Sequence, residues 1–308
     1  MFHGTMTALV TPFANGSIDE EAFRAHIERQ IEAGVDGLVP AGTTGEAATL
    51  SFDEHKQVIE MAVQQAAGRV PVIAGTGSNN TAESVALTGA AKSLGADAAL
   101  LISPYYNKPT QEGIFQHYKA VAAAVHLPQI VYNVPGRTNS NIAPKTVARL
   151  SHISNIIAIK DATADMEQLM HTLAACDGRI EFYSGDDATV MPFMVLGGHG
   201  VISVVANIAP RTMIALTDAM RSADLDTARA AQFAMRELNS MLFVQANPIP
   251  VKAACHLLGW CKDELRLPLL SLDGELLQEL QQTMQAFEFD LPQGAEQLLC
   301  SAAESANH

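Results

Sequence analysis

The 308-residue sequence predicts an α/β fold, a (β/α)8 TIM barrel with a C-terminal helical appendage. Three observations predict it. Eight short β-rich runs alternate with longer helical patterns. Several runs, such as AALLIS (98–103) and NIIAI (155–159), are almost continuously apolar, as strands of a parallel sheet covered on both faces must be. After Pro210 the pattern is helical only.

The β-rich runs are 5–10, 37–40, 70–74, 98–103, 129–132, 156–159, 180–184 and 200–204. The first helix, 19–33, begins on an acidic turn and stops at Gly34. Ser51 and Glu54 form the capping-box pattern for a second helix that reaches Ala67 and stops at Gly68. Helices 81–94 and 111–125 stop at Gly95 and before Pro128, and helices 144–150 and 165–175 follow the same plan. Parallel strands joined by helices make either an open doubly wound sheet or a closed barrel, and eight consecutive units favour closure. Helices over 213–220, 227–243, 248–258 and 274–287 follow. One closes the barrel and the others pack on it, so the expected units are a barrel over 1–222 and a helical region over 223–308. The tail 293–308, rich in Ala, Glu and Ser, is one further turn or a frayed end.

Lys and Arg number 19 against 33 Asp and Glu, a formal net charge of −14, with no basic stripe to offset it. That balance argues against nucleic acid or an anionic membrane as partner, though a local cationic site still attracts small anions. Cys176, Cys255, Cys261 and Cys300 form no CxxC pair and read as reduced thiols in a cytoplasm. The N-terminus reads as a strand ending at Pro12 rather than a signal peptide, and no apolar stretch approaches the roughly 18 residues needed to span a bilayer. The expected location is cytoplasmic. Gly75-Thr76-Gly77 lacks the third glycine of a dinucleotide fingerprint, and the histidines show no ligand spacing, so neither cofactor nor metal is expected.

Catalytic groups of such a barrel gather where strands end at the C-terminal rim. The sixth run ends in Lys160-Asp161. That lysine either snorkels, or pairs with Asp161 or Asp186, or is a desolvated amine. A free lysine of pKa ~10.4 is neutral about once in 2500 at pH 7. A pKa about three units lower, at a cost of ~4 kcal/mol, gives an amine that attacks a ketone. Tyr132 ends the neighbouring strand, either as a core aromatic or as a proton relay to that amine, with Thr43 as a second hydroxyl. The loop Gly42-Thr43-Thr44-Gly45 reads as a tight left-handed turn or as an amide nest for a carboxylate. Arg137 is either a solvated loop residue or a bidentate grip on a second carboxylate.

With these residues assembled, the chain resembles, from about Gly4 to about Leu291, the Schiff-base pyruvate aldolases of the dihydrodipicolinate synthase and N-acetylneuraminate lyase family. The resemblance is carried by Gly42-Thr43-Thr44-Gly45-Glu46, Pro104-Tyr105-Tyr106, Tyr132-Asn133-Val134-Pro135-Gly136-Arg137-Thr138, Lys160-Asp161-Ala162, Gly185-Asp186-Asp187 and Asn247-Pro248-Ile249-Pro250-Val251-Lys252. It implies that Lys160 binds pyruvate covalently without a cofactor. It makes Tyr132 the proton shuttle, linked to Thr43 and to Tyr106 from a neighbouring subunit. It gives the pyruvate carboxylate to Thr44 and nearby amides, and lines the site with Gly185 and Ile202. The implied reaction condenses pyruvate with L-aspartate 4-semialdehyde, held by Arg137, to 4-hydroxy-tetrahydrodipicolinate on the route to diaminopimelate and lysine. A homotetramer is implied too. A feedback site for L-lysine maps onto His55, Asn79, Glu83 and Tyr105, while Ala47 and Phe52 depart from the serine and histidine often found there. Sialic-acid or sugar-acid cleavage is the neighbouring alternative, disfavoured by Arg137. A non-catalytic keto-acid-binding barrel would need a damaged rim, and a phosphate-binding barrel is disfavoured by the acidic Gly185-Asp186-Asp187.

Overall fold

A computed structural model describes residues 2–287 and 289. The strands are β1 (Gly4–Ala8), β2 (Phe13–Ala14), β3 (Ser17–Ile18), β4 (Gly37–Val39), β5 (Ile73–Gly75), β6 (Ala98–Ile102), β7 (Gln129–Asn133), β8 (Ile156–Asp161), β9 (Glu181–Ser184) and β10 (Gly200–Ser203). Eight of them pair in parallel in the order β4-β1-β10-β9-β8-β7-β6-β5, and a parallel bridge from Leu38 to Val72 joins the two ends into a barrel. Helices lie between the strands, so the expected fold is the one formed.

The continuous apolar runs are explained by two different destinations. Leu100, Ile130 and Ala158 pack inside the barrel with Met6, Val39, Ile73 and Ile202. Their chain neighbours Leu101, Val131 and Ile159 pack outward against helices with Tyr118, Val147 and Leu169. Alternate residues of a strand face opposite ways, so a strand covered on both sides must be apolar throughout. The helices beyond Pro210 share one buried cluster with the barrel, in which Met213, Met235, Leu258 and Met284 meet Val10, Val190 and Val201.

Helix boundaries follow their caps. The Ser51 hydroxyl accepts from the Glu54 amide (3.3 Å) and the Glu54 carboxylate accepts from the Ser51 amide (2.8 Å), completing the capping box. Glu54 also receives Arg266 at 2.5 Å, which stands first among the causes that hold its carboxyl at about 2. Several boundaries differ from expectation, among them the following. Phe13–Ala14 and Ser17–Ile18 form a hairpin turned by Asn15 and Gly16, both at positive φ (55° and 82°), the backbone that an Asn-Gly turn supplies. The third barrel strand starts at Ile73, not at residue 70. The helix after β10 begins at Pro210, whose missing N–H costs nothing at a first helical position. The expected helix 227–243 is two, Leu225–Ala234 and Arg236–Met241, interrupted at the fully buried Met235. Gln232 and Asn239, on either side of the break, both donate to the Asp187 carbonyl (3.1 and 3.4 Å). The tail 293–308 and Cys300 lie outside the described residues. Among those described, no helix is long and apolar enough to cross a membrane.

Candidate active site

Lys160 and Tyr132 are brought together by strand register. They are directly paired across β8 and β7, and each stands two residues beyond an interior residue, Ala158 and Ile130. The period of two therefore turns both side chains into the barrel. Lys160 is 5 % exposed, with Nζ 4.4 Å from the Tyr132 ring centroid. Neither expected acidic partner reaches it. Asp161 accepts from the amide and hydroxyl of Thr163 (2.8 and 2.6 Å), and Asp186 accepts from the Thr189 hydroxyl at 2.6 Å. Lys160 is thus neither snorkelling nor ion-paired. Burial pulls its amine down to about 8, the Asp187 carboxylate pulls against that, and the Arg137 charge adds to it.

Asp187 is a group that the sequence reading missed. It is 1 % exposed, accepts from the Val204 and Val205 amides (2.9 and 3.2 Å), and is pushed above the usual carboxylate range by burial. Nothing in the Gly-Asp-Asp triplet distinguishes the buried aspartate from the half-buried Asp186.

The Tyr132 phenol is pushed up to about 12, first by burial, while Arg137 and a hydrogen bond with Thr43 pull the other way. It stays protonated at neutral pH and has a hydroxyl neighbour, as a proton relay needs. Gly185 is required by the same arrangement. A Cβ there would lie 2.9 Å from Lys160 Cε and 2.7 Å from the Ala162 methyl, so only hydrogen lets the lysine pass. Ile202 is 1 % exposed on the interior wall.

The loop after β4 is neither of the two expected forms alone. Its positive φ values belong to Ala41 (53°) and Glu46 (55°) rather than to Gly42 or Gly45. Glycine serves close approach instead, since a Cβ on Gly75 would meet the Ala41 carbonyl at 2.2 Å. The loop is anchored by Glu46, whose carboxylate binds Lys252 Nζ at 2.5 Å with both side chains fully buried, and takes the Arg266 amide at 3.1 Å. Thr44, 3 % exposed, accepts from Asn247 Nδ2 at 2.9 Å. Arg137 is exposed and donates to the Asn247 carbonyl at 3.1 Å. Its turn is held by Thr138, whose hydroxyl accepts from the Ser140 amide at 3.2 Å. Asn247 is part of a sequence motif, but its contact with Thr44 spans 203 residues and leaves no local signal.

Tyr106 stands apart. Its φ is 71° and it is 88 % exposed, outside the buried cluster of its own chain. Of the four residues mapped to a lysine site, two are in direct contact and the other two bond to neighbouring positions of the same segment, Gly75 and Ser78. Asn79 donates to the Tyr105 carbonyl at 3.2 Å, Glu83 accepts from Ser78 at 2.7 Å, and His55 donates to the Gly75 carbonyl at 2.6 Å. Burial lowers the His55 pKa, with the Gly75 bond opposing.

A parallel barrel whose rim holds one desolvated, unpaired amine beside a phenol defines a class, the enzymes that capture a carbonyl on a lysine. The model of the dihydrodipicolinate synthetase family matches residues 1–287, and the chain belongs to that family. It is 52 % identical over 288 residues to the 4-hydroxy-tetrahydrodipicolinate synthase of Geobacter sp. (strain M21), covering 94 % of this chain and 99 % of the relative. Solved structures share the fold, two of them as follows. The chloride-inhibited dihydrodipicolinate synthase of Acinetobacter baumannii, complexed with pyruvate, superposes with a TM-score of 0.91 at 46 % identity, covering 92 % of this chain and 98 % of that one. The enzyme of Cyanidioschyzon merolae with lysine bound gives 0.89 at 38 %, covering 92 % and 98 %.

Proposed function

We propose that this chain condenses pyruvate with L-aspartate 4-semialdehyde to 4-hydroxy-tetrahydrodipicolinate through a Schiff base on Lys160. The observation that carries the reading is the buried Lys160 amine, held near 8 without an ion pair, beside the Tyr132 phenol. The neutral amine adds to the ketone of pyruvate to give a carbinolamine. Loss of water gives an iminium, and Tyr132 with Thr43 moves the protons between nitrogen and leaving oxygen. Removal of a methyl proton gives an enamine, which forms a carbon–carbon bond to the aldehyde. The amino group of the second substrate then attacks the imine carbon and releases Lys160. The iminium is itself the electron sink, so this chemistry calls for no metal and no organic cofactor.

Thr44 takes the pyruvate carboxylate and Arg137 that of the second substrate, with Gly185 and Ile202 as walls. Arg137 favours an amino-acid substrate over a polyhydroxylated sugar. Tyr106, exposed and held in a left-handed turn, reaches the site of a second copy, and the assembly is a homotetramer in the cytoplasm. L-Lysine binds at His55, Asn79, Glu83 and Tyr105, of which Asn79 donates to the Tyr105 carbonyl while His55 and Glu83 bond to Gly75 and Ser78 of the segment leading to Asn79. The lysine-bound relative supports this, and a flat response over a millimolar lysine titration would remove it.

Borohydride reduction in the presence of pyruvate tests the central step. A mass gain confined to Lys160, lost in Lys160→Ala, is expected. An unmodified wild-type protein would sink the proposal in favour of a keto-acid-binding barrel. Turnover of sialic acid faster than of aspartate semialdehyde would move it to the lyase.

A further inference from the structure

The two carboxylate-binding positions proposed above are joined by one residue. The Asn247 side chain donates Nδ2–H to the Thr44 hydroxyl oxygen at 2.9 Å, and the Asn247 carbonyl accepts from Arg137 Nη2 at 3.1 Å. The side chain is deeply buried, 6 % exposed, and the Thr44 bond is within the interior. Its Oδ1 has no hydrogen-bond partner among the described residues. The amide is therefore oriented through Thr44, not through a satisfied structural network. A threonine hydroxyl has one proton and two lone pairs. With one lone pair taken by an amide donor, its proton is directed away from Asn247 and remains to be donated.

We infer that Asn247 is a positioning residue that orients the Thr44 hydroxyl toward the keto-acid carboxylate while its backbone carbonyl steadies Arg137. The inference rests on the proposed function and deepens it. The side chain serves the first substrate and the main chain serves the second. Truncating the side chain leaves the Arg137 contact in place, which separates the two effects.

Steady-state kinetics on Asn247→Ala, Asn247→Asp, Thr44→Val and the double variant Asn247→Ala/Thr44→Val provide the test. Asn247→Ala is expected to raise the KM for pyruvate about tenfold, the loss of one hydrogen bond to a charged group, with kcat within about threefold. The KM for the aldehyde substrate stays within about twofold. The double variant is no worse than the more damaged single one, because both remove the same interaction. Asn247→Asp, close in shape, is expected to raise the pyruvate KM further than Asn247→Ala, since it sets a carboxylate beside a carboxylate. A residue serving only to fill space would give the reverse order.

An unchanged pyruvate KM, multiplying effects in the double variant, or Asn247→Asp milder than Asn247→Ala would each overturn the inference. Urea unfolding checks the variants. Should Asn247→Ala not fold, the cycle is run with Asn247→Leu, similar in volume and without an amide, against Thr44→Val and reads the same coupling. The pyruvate concentration giving half-maximal borohydride trapping separates failure of the Lys160 chemistry from failure of the Asn247 role. If wild-type Lys160 is not trapped, the proposed function fails and this inference falls with it. If the wild type is trapped and Asn247→Ala has the same midpoint, only the inference fails.

Discussion

Two lysines are buried among the described residues, and they meet opposite fates. Lys160 is 5 % exposed and Lys252 fully buried, and each amine lies against an aromatic ring, 4.4 Å from Tyr132 and 4.1 Å from Phe13. Burial pulls both amines down. The difference is the compensation. Lys252 has Glu46 at 2.5 Å, a carboxylate sealed in with it. Lys160 has Asp187 only as a more distant charge, with Arg137 opposing it. Desolvation alone therefore does not make a nucleophile. A close carboxylate restores the ammonium and turns the lysine into an anchor for the loop that carries Thr43 and Thr44. Its absence leaves an amine that is neutral about one time in ten at pH 7.

The widest separation between the two is in chemistry. Lys160→Ala is expected to lower turnover of pyruvate and aspartate semialdehyde by roughly 10⁴-fold or more, leaving the far-UV circular dichroism unchanged. Lys252→Met should leave Lys160 open to borohydride trapping in the folded protein. Loss of trapping there would break the division between anchor and nucleophile.

Stability gives the next separation. Lys252→Met strands the buried Glu46 carboxylate, and removing one member of such a pair costs about 3–5 kcal/mol. A lower urea midpoint at unchanged slope measures that loss. Adding Glu46→Gln should recover most of it, and failure to recover would show that the charge pair is not what matters.

These contrasts mark how far the sequence could be read. The strand runs, the Ser51–Glu54 capping box and Lys160 at a strand end were legible because each is local: a period of two, a spacing of three, a charge ending an apolar run. The interior direction of Tyr132 was not, because one strand's alternation leaves its sense open until register pairs it with Lys160. The anchors were harder still. Lys252 and Glu46 lie 206 residues apart, Asn247 and Thr44 lie 203 apart, and no local pattern announces either contact. Asp186 and Asp187 look alike in sequence, yet only the second is buried beneath the Val204 and Val205 amides. The break at Met235 lies between Gln232 and Asn239, which meet at the Asp187 carbonyl, a contact that no local pattern announces.

A smaller effect sharpens the chemistry of the reactive lysine. Tyr132→Phe removes the proton relay but not the amine, so turnover should fall roughly 10²–10³-fold while slow pyruvate trapping on Lys160 persists. Trapping at the wild-type rate would assign the relay elsewhere.

The smallest expected effect distinguishes the two lysines by sign. Lys160 is held at about 8 in the fold against its ordinary 10.5. Between those pH values the unfolded chain binds more protons than the folded one, so stability rises with pH across that window. Below about 8 the penalty of the buried ammonium is present in full, on the order of 3 kcal/mol as an upper bound. Lys160→Met removes it. Asp187 keeps the Val204 and Val205 amide donors when the lysine is lost, so its carboxylate is not left without partners. The variant should therefore exceed the wild type in stability at pH 7, and the advantage should shrink from pH 8 toward 10.5. Urea midpoints at pH 7 and pH 10 measure this. Because Glu46 offsets the burial of Lys252, Lys252→Met shifts stability the opposite way at pH 7. Loss of stability in both variants would mean that Lys160, too, is held by a compensating charge, and that its reactivity has another source.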